Sequence, residues 1–250
     1  MPKFFVRDEQ VNGNNIIIIG EDVNHIRNVL RMKKGDQLQV CNSETGNNYL
    51  VEIQRLEKEQ IQCYINKQID TTTESNVNIT LFQGIPKFDK MELIIQKATE
   101  IGVNSIVPTN MKRCIVKLNG KDMEKKISRW QKIAEIAAKQ SMRDKIPIIH
   151  EIKNLQYICD ISKEFDLIII AYENEKQNSL KQTLKELEKD SKDNYKIGII
   201  IGPEGGIDLE EIKLLKQNSN VSIVTLGKRI LRTETAGLTM ASNIFYQLEN

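Results

Sequence analysis

The period of the apolar positions changes near residue 75. Before it, short alternating runs dominate: Gln37-Leu38-Gln39-Val40-Cys41, Tyr49-Leu50-Val51-Glu52-Ile53 and Gln60-Ile61-Gln62-Cys63-Tyr64-Ile65. Every second side chain shares a face, the spacing of a half-buried strand. Val11 to Gly20 adds an aliphatic strand, and Asn42 to Asn48, with its Ser, Thr, Gly and Asn, reads as a turn. Asp22 to Met32 predicts a short helix with Ile26, Val29 and Leu30 on one face. On that helix Arg27 and Arg31, four apart, would share a second face.

Asp70 to Asn76 is rich in Thr, Ser and Asn, lacks periodicity, and reads as a linker. Strands are then predicted at 77–83, 105–108, 146–150, 167–171, 196–201 and 222–226. Helices are predicted at 87–101, 122–140, 179–189, 209–217 and 234–247. Strand–helix alternation implies an α/β domain with a mostly parallel sheet covered on both faces. The chain is therefore expected to divide into a β-rich domain over residues 1–70 and an α/β domain over 71–250. A dinucleotide fingerprint would lie at the first strand-to-helix turn. That turn is Gly84-Ile85-Pro86-Lys87, and the glycine-rich loops come instead near the end.

Composition narrows the field. With 40% hydrophobic and 28% charged residues, the 250-residue chain matches a soluble globular protein. No apolar stretch approaches the roughly 20 residues that cross a bilayer, and the start, Pro2-Lys3-Phe4-Phe5, lacks a signal-peptide core. A cytoplasmic location is the expectation. Cys41, Cys63, Cys114 and Cys159 are scattered and the histidines are His25 and His150, so metal-ligand spacing is absent. The cysteines read as small buried hydrophobes. Net charge is only +2, which neither demands nor excludes nucleic acid. Basic residues do cluster, between Lys121 and Lys145 and among Arg7, Arg27, Arg31, Lys33 and Lys34. Such clusters suit phosphate, though charged helix faces alone would also account for them.

Two segments carry the candidate chemistry: Ile201-Gly202-Pro203-Glu204-Gly205-Gly206 and Leu226-Gly227-Lys228-Arg229-Ile230-Leu231-Arg232-Thr233-Glu234-Thr235-Ala236. Each follows a buried-strand pattern and precedes a helix. Glycines at strand ends let the backbone approach a ligand. A plain strand–helix connection would explain Asp208 and Glu211 as a capping box and Thr233 as a helix cap. It leaves Pro203-Glu204, Arg229 and Arg232 without a reason.

These loops, with Pro2-Lys3-Phe4-Phe5-Val6, His25 to Asp36, Lys97-Ala98-Thr99-Glu100-Ile101-Gly102-Val103, Arg129-Trp130 and Gln140-Ser141-Met142-Arg143, resemble the bacterial 16S ribosomal RNA uridine-N3 methyltransferases of the SPOUT superfamily. The resemblance spans nearly the whole chain. It implies a C-terminal trefoil-knotted SPOUT domain, an N-terminal PUA-like β-barrel that binds RNA, and a homodimer acting on 16S ribosomal RNA or the small ribosomal subunit. It implies S-adenosyl-L-methionine held by Ile201, Gly202, Pro203, Glu204, Gly205, Leu226, Gly227, Arg229, Ile230, Leu231, Thr235 and Ala236. This chain departs from the family pattern at Ile207, where an aromatic residue is usual, and at Met142, where glycine is common.

The chemistry so implied sets requirements. A sulfonium already carries an activated methyl group, so no metal is required, and alignment supplies much of the rate. The N3–H of uracil must be lost, and a guanidinium would stabilise the developing negative charge. Arg232 is the leading candidate and Glu234 a base or orienter; a phosphate anchor is the competing role for Arg232. Arg7, Arg27, Arg31, Arg113 and Arg143 are the candidate RNA contacts. Trp130, among Ile127, Ile133, Ala134 and Ala137 at helical spacing, belongs to a core or interface. Two rivals stand beside this reading: a SPOUT enzyme with another acceptor, such as a ribose 2′-hydroxyl, and a non-catalytic RNA-binding ribosome-assembly factor.

Overall fold

The computed structural model describes residues 1–70, 73–116 and 120–249. They divide into two compact units, Met1–Glu74 with Ala138–Ile146, and Ser75–Ala137 with Pro147–Asn250.

The first unit is one six-stranded sheet. Its strands are β1 (Lys3–Val6), β2 (Val11–Asn12), β3 (Asn15–Ile19), β4 (Gln37–Asn42), β5 (Asn48–Leu56) and β6 (Gln60–Ile69). Their order is β1-β4-β5-β6-β3-β2, antiparallel except for β1 against β4. Among the described residues β1 and β2 do not pair, so the expected barrel is an open, curled half-barrel. The alternation has the predicted consequence: Ile16, Ile18, Leu38, Val40, Val51, Ile53 and Ile61 are buried in one core. Cys41 and Cys63 are buried here too, and burial pushes their thiols up to about 11 and about 12.

The helix expected over Asp22 to Met32 is shorter. Helix α1 (Glu21–Asn24) widens at once into a turn in which Leu30 N–H donates to His25 C=O at 2.9 Å, a five-residue spacing. Arg31 lies past the end with φ 53°. Arg27 therefore does not share a helix face with Arg31, and its guanidinium donates to the Glu57 carbonyl at 3.0 Å.

The unit also holds the end of a long helix and the turn after it. Arg143 is only 3% exposed and pairs with Glu74 at 2.6 Å. Its guanidinium is committed inward, which corrects the expectation that it grips RNA. Lys3 and Asp144 form a second buried ion pair beside it. A charge left unpaired in such a place costs several kcal/mol, so these pairs fix the turn in place.

The second unit is built on β7 (Val77–Gly84), β8 (Ser105–Asn110), β9 (Ile148–Ile149), β10 (Lys153–Asn154), β11 (Leu167–Ala171), β12 (Tyr195–Ile201) and β13 (Val221–Val224). All pairings are parallel, in the order β10-β8-β7-β12-β11-β13, with β9 also against β8. Helices α2 (Lys90–Ile101), α3 (Gly120–Gln140), α5 (Leu180–Glu188) and α7 (Thr233–Leu248) contribute to one core with Ile79, Leu81, Ile197, Ile199 and Ile201. Helices α4 (Leu155–Asp160) and α6 (Leu209–Leu215) contribute to a second core with Phe82, Ile168, Ile170 and Ile200. The Ile197–Ile201 run thus feeds both faces alternately, as a central parallel strand must. Trp130 is 3% exposed in the first core. Among the described residues no helix is long and apolar enough to cross a membrane.

Candidate functional site

The carboxyl ends of β12, β11 and β13 are neighbours, and a cavity of ≈ 530 Å³ opens over them. Three loops wall it: Ile201–Ile207 after β12, Ala171–Glu173 at the end of β11, and Thr225–Thr233 after β13. Lys90 and Ala236 complete the lining. Ligands of open α/β sheets sit at such strand ends. The loop after β11 carries no glycine and was not expected; an acidic residue closing the aliphatic run Leu167–Ala171 was its only sequence signal.

The turn after β12 is braced from several sides. Gly206 N–H donates to Pro203 C=O at 2.9 Å. Pro203 packs on Gly84 so closely that a Cβ there would stand 2.7 Å from Pro203 Cδ. The Arg113 guanidinium donates to Gly205 C=O at 2.9 Å and reaches Asp208 at 3.4 Å. Asp208 and Glu211 do form the capping box of α6. Thr233 is not the cap of α7, as its position had suggested; Arg232 occupies that place without a side-chain cap. The Thr233 hydroxyl instead donates to Gly202 C=O at 2.7 Å and accepts from buried Gln83 Nε2 at 2.9 Å. One hydroxyl thus joins the ends of β7 and β12 to the start of α7.

Lys90 opens α2, where the helix dipole disfavours a cation. Two carboxylates hold it there: Glu204 at 3.1 Å and Glu234 at 3.3 Å. The hydrogen bond to Glu204 raises the Lys90 ammonium above its usual range. Burial opposes ionisation of Glu204, but its own N–H, Lys90 and the Lys87 N–H outweigh it and hold the carboxyl below the usual range. Lys87 N–H lies 3.1 Å from Glu204 Oε1.

The loop after β13 is different. Lys228, Arg229, Ile230 and Arg232 are exposed. Their backbone N–H groups donate to nothing among the described residues, and neither do the three cationic side chains. Gly227 adopts φ 113°, and a Cβ on it would meet no protein atom within 4 Å. Only glycine takes that conformation without strain. This loop presents polar groups that the described residues do not use.

The family model described as an RNA methyltransferase domain matches residues 73–245, and one described as an RNA methyltransferase PUA domain matches 18–65. The chain belongs to the RNA methyltransferase family.

Relatives in this family agree. Ribosomal RNA small subunit methyltransferase E of Bacillus subtilis is 36% identical over 232 residues, 93% of this chain and 90% of the relative. A ribosomal RNA small subunit methyltransferase E from Neisseria gonorrhoeae, solved bound to S-adenosyl methionine, superposes with TM-score 0.85 at 29% identity. It covers 100% of this chain and 98% of that one. A Legionella pneumophila methyltransferase solved with bound SAM gives 0.86 at 29% identity, covering 99% and 98%.

Within this family member, the structure gathers most of the expected cofactor residues. Ile201, Gly202, Pro203, Glu204, Gly205, Leu226, Gly227, Arg229, Ile230, Leu231 and Ala236 line the cavity. Thr235 does not; it is exposed on the first turn of α7. Arg232 lines the cavity, whereas Glu234 turns to Lys90. Arg113 braces the β12 turn while remaining 43% exposed. Arg7, Arg27 and Arg31 all lie in the first unit. Among the described residues no group of three His, Cys, Asp or Glu is placed to hold a metal ion.

Proposed function

We propose that this protein is an S-adenosyl-L-methionine-dependent methyltransferase acting on N3 of a uridine in 16S ribosomal RNA. The observation that carries the reading is the cavity over three parallel strand ends, one wall of which offers backbone N–H groups and an arginine without partners among the described residues. Its volume and mixed lining fit a cofactor with an adenine, a ribose and an amino-acid end. Leu226, Gly227, Ile230 and Leu231 supply backbone groups for the adenine edge, and the β12 turn supports the amino-acid end. The bound cofactor supplies the activated methyl group.

The chain's residues do the rest. Arg232 brings a guanidinium to the cavity with no competing carboxylate among the described residues, so it stabilises the charge that develops on uracil as the N3 proton leaves. Glu234, tied to Lys90 and off the cavity lining, positions rather than contacts the substrate. Arg7, Arg27 and Arg31 of the N-terminal PUA unit, with Arg113, contact RNA phosphate. Arg143, buried against Glu74, is not among them.

Three further features belong to the same proposal. The segment ending at α7 is threaded as a trefoil knot, consistent with Thr233 reaching the ends of both β7 and β12. The protein works as a homodimer; Tyr246, 90% exposed on α7, and Ile230, 86% exposed beside the cavity, are apolar groups that a second copy would cover. A ribosomal RNA substrate places it in the cytoplasm. The test is nucleoside mapping of ribosomal RNA from cells with and without the protein. A 3-methyluridine lost from 16S RNA on deletion supports the reading. Loss of a 2′-O-methyl mark, or of none, replaces it with one of the rivals.

A further inference from the structure

Strand β11 lies between β12 and β13, so its carboxyl end faces the middle of the cavity wall. Glu173 stands at that end and lines the cavity. Its carboxylate makes no hydrogen bond or ion pair among the described residues. Its neighbour behaves otherwise: the Glu175 carboxylate accepts from the N–H groups of Lys176, Gln177 and Asn178 at 2.9, 2.8 and 3.1 Å. Tyr172 N–H in turn donates to Val224 C=O at 3.1 Å. Glu173 is therefore presented from a segment whose own backbone is tied down on both sides.

The β12 turn leaves room for this carboxylate. A Cβ on Gly206 would come within 2.8 Å of Glu173 Oε1, and Gly206 has φ 73°. A carboxylate is an acceptor only, and in a cavity it is matched by a ligand that brings donors. Two oxygens on one planar group suit two adjacent hydroxyls, the chemistry by which acidic residues read a ribose in dinucleotide sites. The order of the walls gives the same answer. If the loop after β13 takes adenine and the turn after β12 takes the amino-acid end, the moiety between them meets β11, and that moiety is the ribose.

We propose that Glu173 is a specificity-determining residue that accepts hydrogen bonds from the 2′- and 3′-hydroxyls of the cofactor ribose. This rests on the cofactor reading above. Calorimetric titration of S-adenosylhomocysteine and its 2′,3′-dideoxy analogue into the wild type and into Glu173→Ala tests it. The wild type should prefer the diol ligand by about tenfold to a hundredfold, as expected for hydrogen bonds to a charged acceptor. In Glu173→Ala the preference should collapse towards unity, because the diol ligand weakens and the dideoxy ligand does not. The thermal midpoint should be unchanged, since the side chain has no partner among the described residues. Equal weakening of both ligands would overturn the proposal in favour of a contact with the cofactor's ammonium, and an unaltered preference would remove Glu173 from the site. Failure of S-adenosylhomocysteine to bind the wild type would instead overturn the cofactor reading itself.

Discussion

The turn after β12 and the loop after β13 both leave a parallel strand through glycine, yet they are held in opposite ways. In the first, Gly205 C=O, Gly202 C=O, Glu204 and Gly206 N–H all have partners within the protein. In the second, the N–H groups from Lys228 to Arg232 have none among the described residues, and the cationic side chains of Lys228, Arg229 and Arg232 are likewise unengaged there. The first loop is a braced wall. The second presents donors and charge that the described residues leave for a ligand, which is where binding energy and catalysis are to be sought. Glycine alone does not distinguish them; the difference lies in which polar groups the fold has already satisfied.

The comparison breaks most sharply at Arg232. Arg232→Lys keeps the charge and loses the planar fork. Its single-turnover rate at saturating RNA and cofactor should fall on the order of 100-fold, with both dissociation constants and the unfolding midpoint little changed. Recovery of the full rate at higher RNA concentration would make Arg232 a phosphate anchor. The braced turn should respond in stability instead. Gly84→Ala drives a methyl against Pro203 and should cost about 1–3 kcal/mol, read as a lower denaturant midpoint at constant m.

Thr233→Val should cost less, about 1 kcal/mol, through loss of the hydroxyl shared by Gly202 and Gln83. Because this hydroxyl joins the braced wall to the helix after the open loop, cofactor affinity should fall with it; a stable variant with weaker binding would sharpen the comparison further. The smallest effect is electrostatic. The Glu204 carboxyl is held below its ordinary 4.5, so its contribution is complete above pH 4.5 and fades as pH falls through the folded value. The Lys90 ammonium is held above 10.5, so its contribution is complete below pH 10.5 and fades as pH rises through the folded value. Wild type and Glu204→Gln should therefore differ slightly in thermal midpoint at neutral pH and converge in acid. The pair is partly exposed, and such pairs contribute little.

Much of this architecture can be read from local pattern. The aliphatic runs of β7, β11 and β12 and the long helices α2, α3 and α7 are visible because their periodicity extends over whole elements. Helix α4 is six residues long, too short for a period to register, although Asn154 caps it by accepting from Tyr157 N–H. Strand β1 is defined by its partner β4, more than 30 residues away. At the site, glycine marked two loops and left the third, Ala171–Glu173, unmarked. Local sequence makes Thr233 look like a cap because its partner Gln83 is 150 residues distant. Arg143 looks like an RNA contact in local sequence because Glu74, with which it pairs, is 69 residues away. Local sequence shows which groups are present at a strand end, and only the fold shows which of them are already partnered.

Hydrogen exchange with and without S-adenosyl-L-methionine tests that distinction most directly. Cofactor should slow exchange of the backbone N–H groups between Lys228 and Arg232, which start without partners among the described residues, and alter the Gly206 N–H little, since Pro203 already accepts from it. Protection confined to the turn after β12, or absent from both loops, would contradict the account.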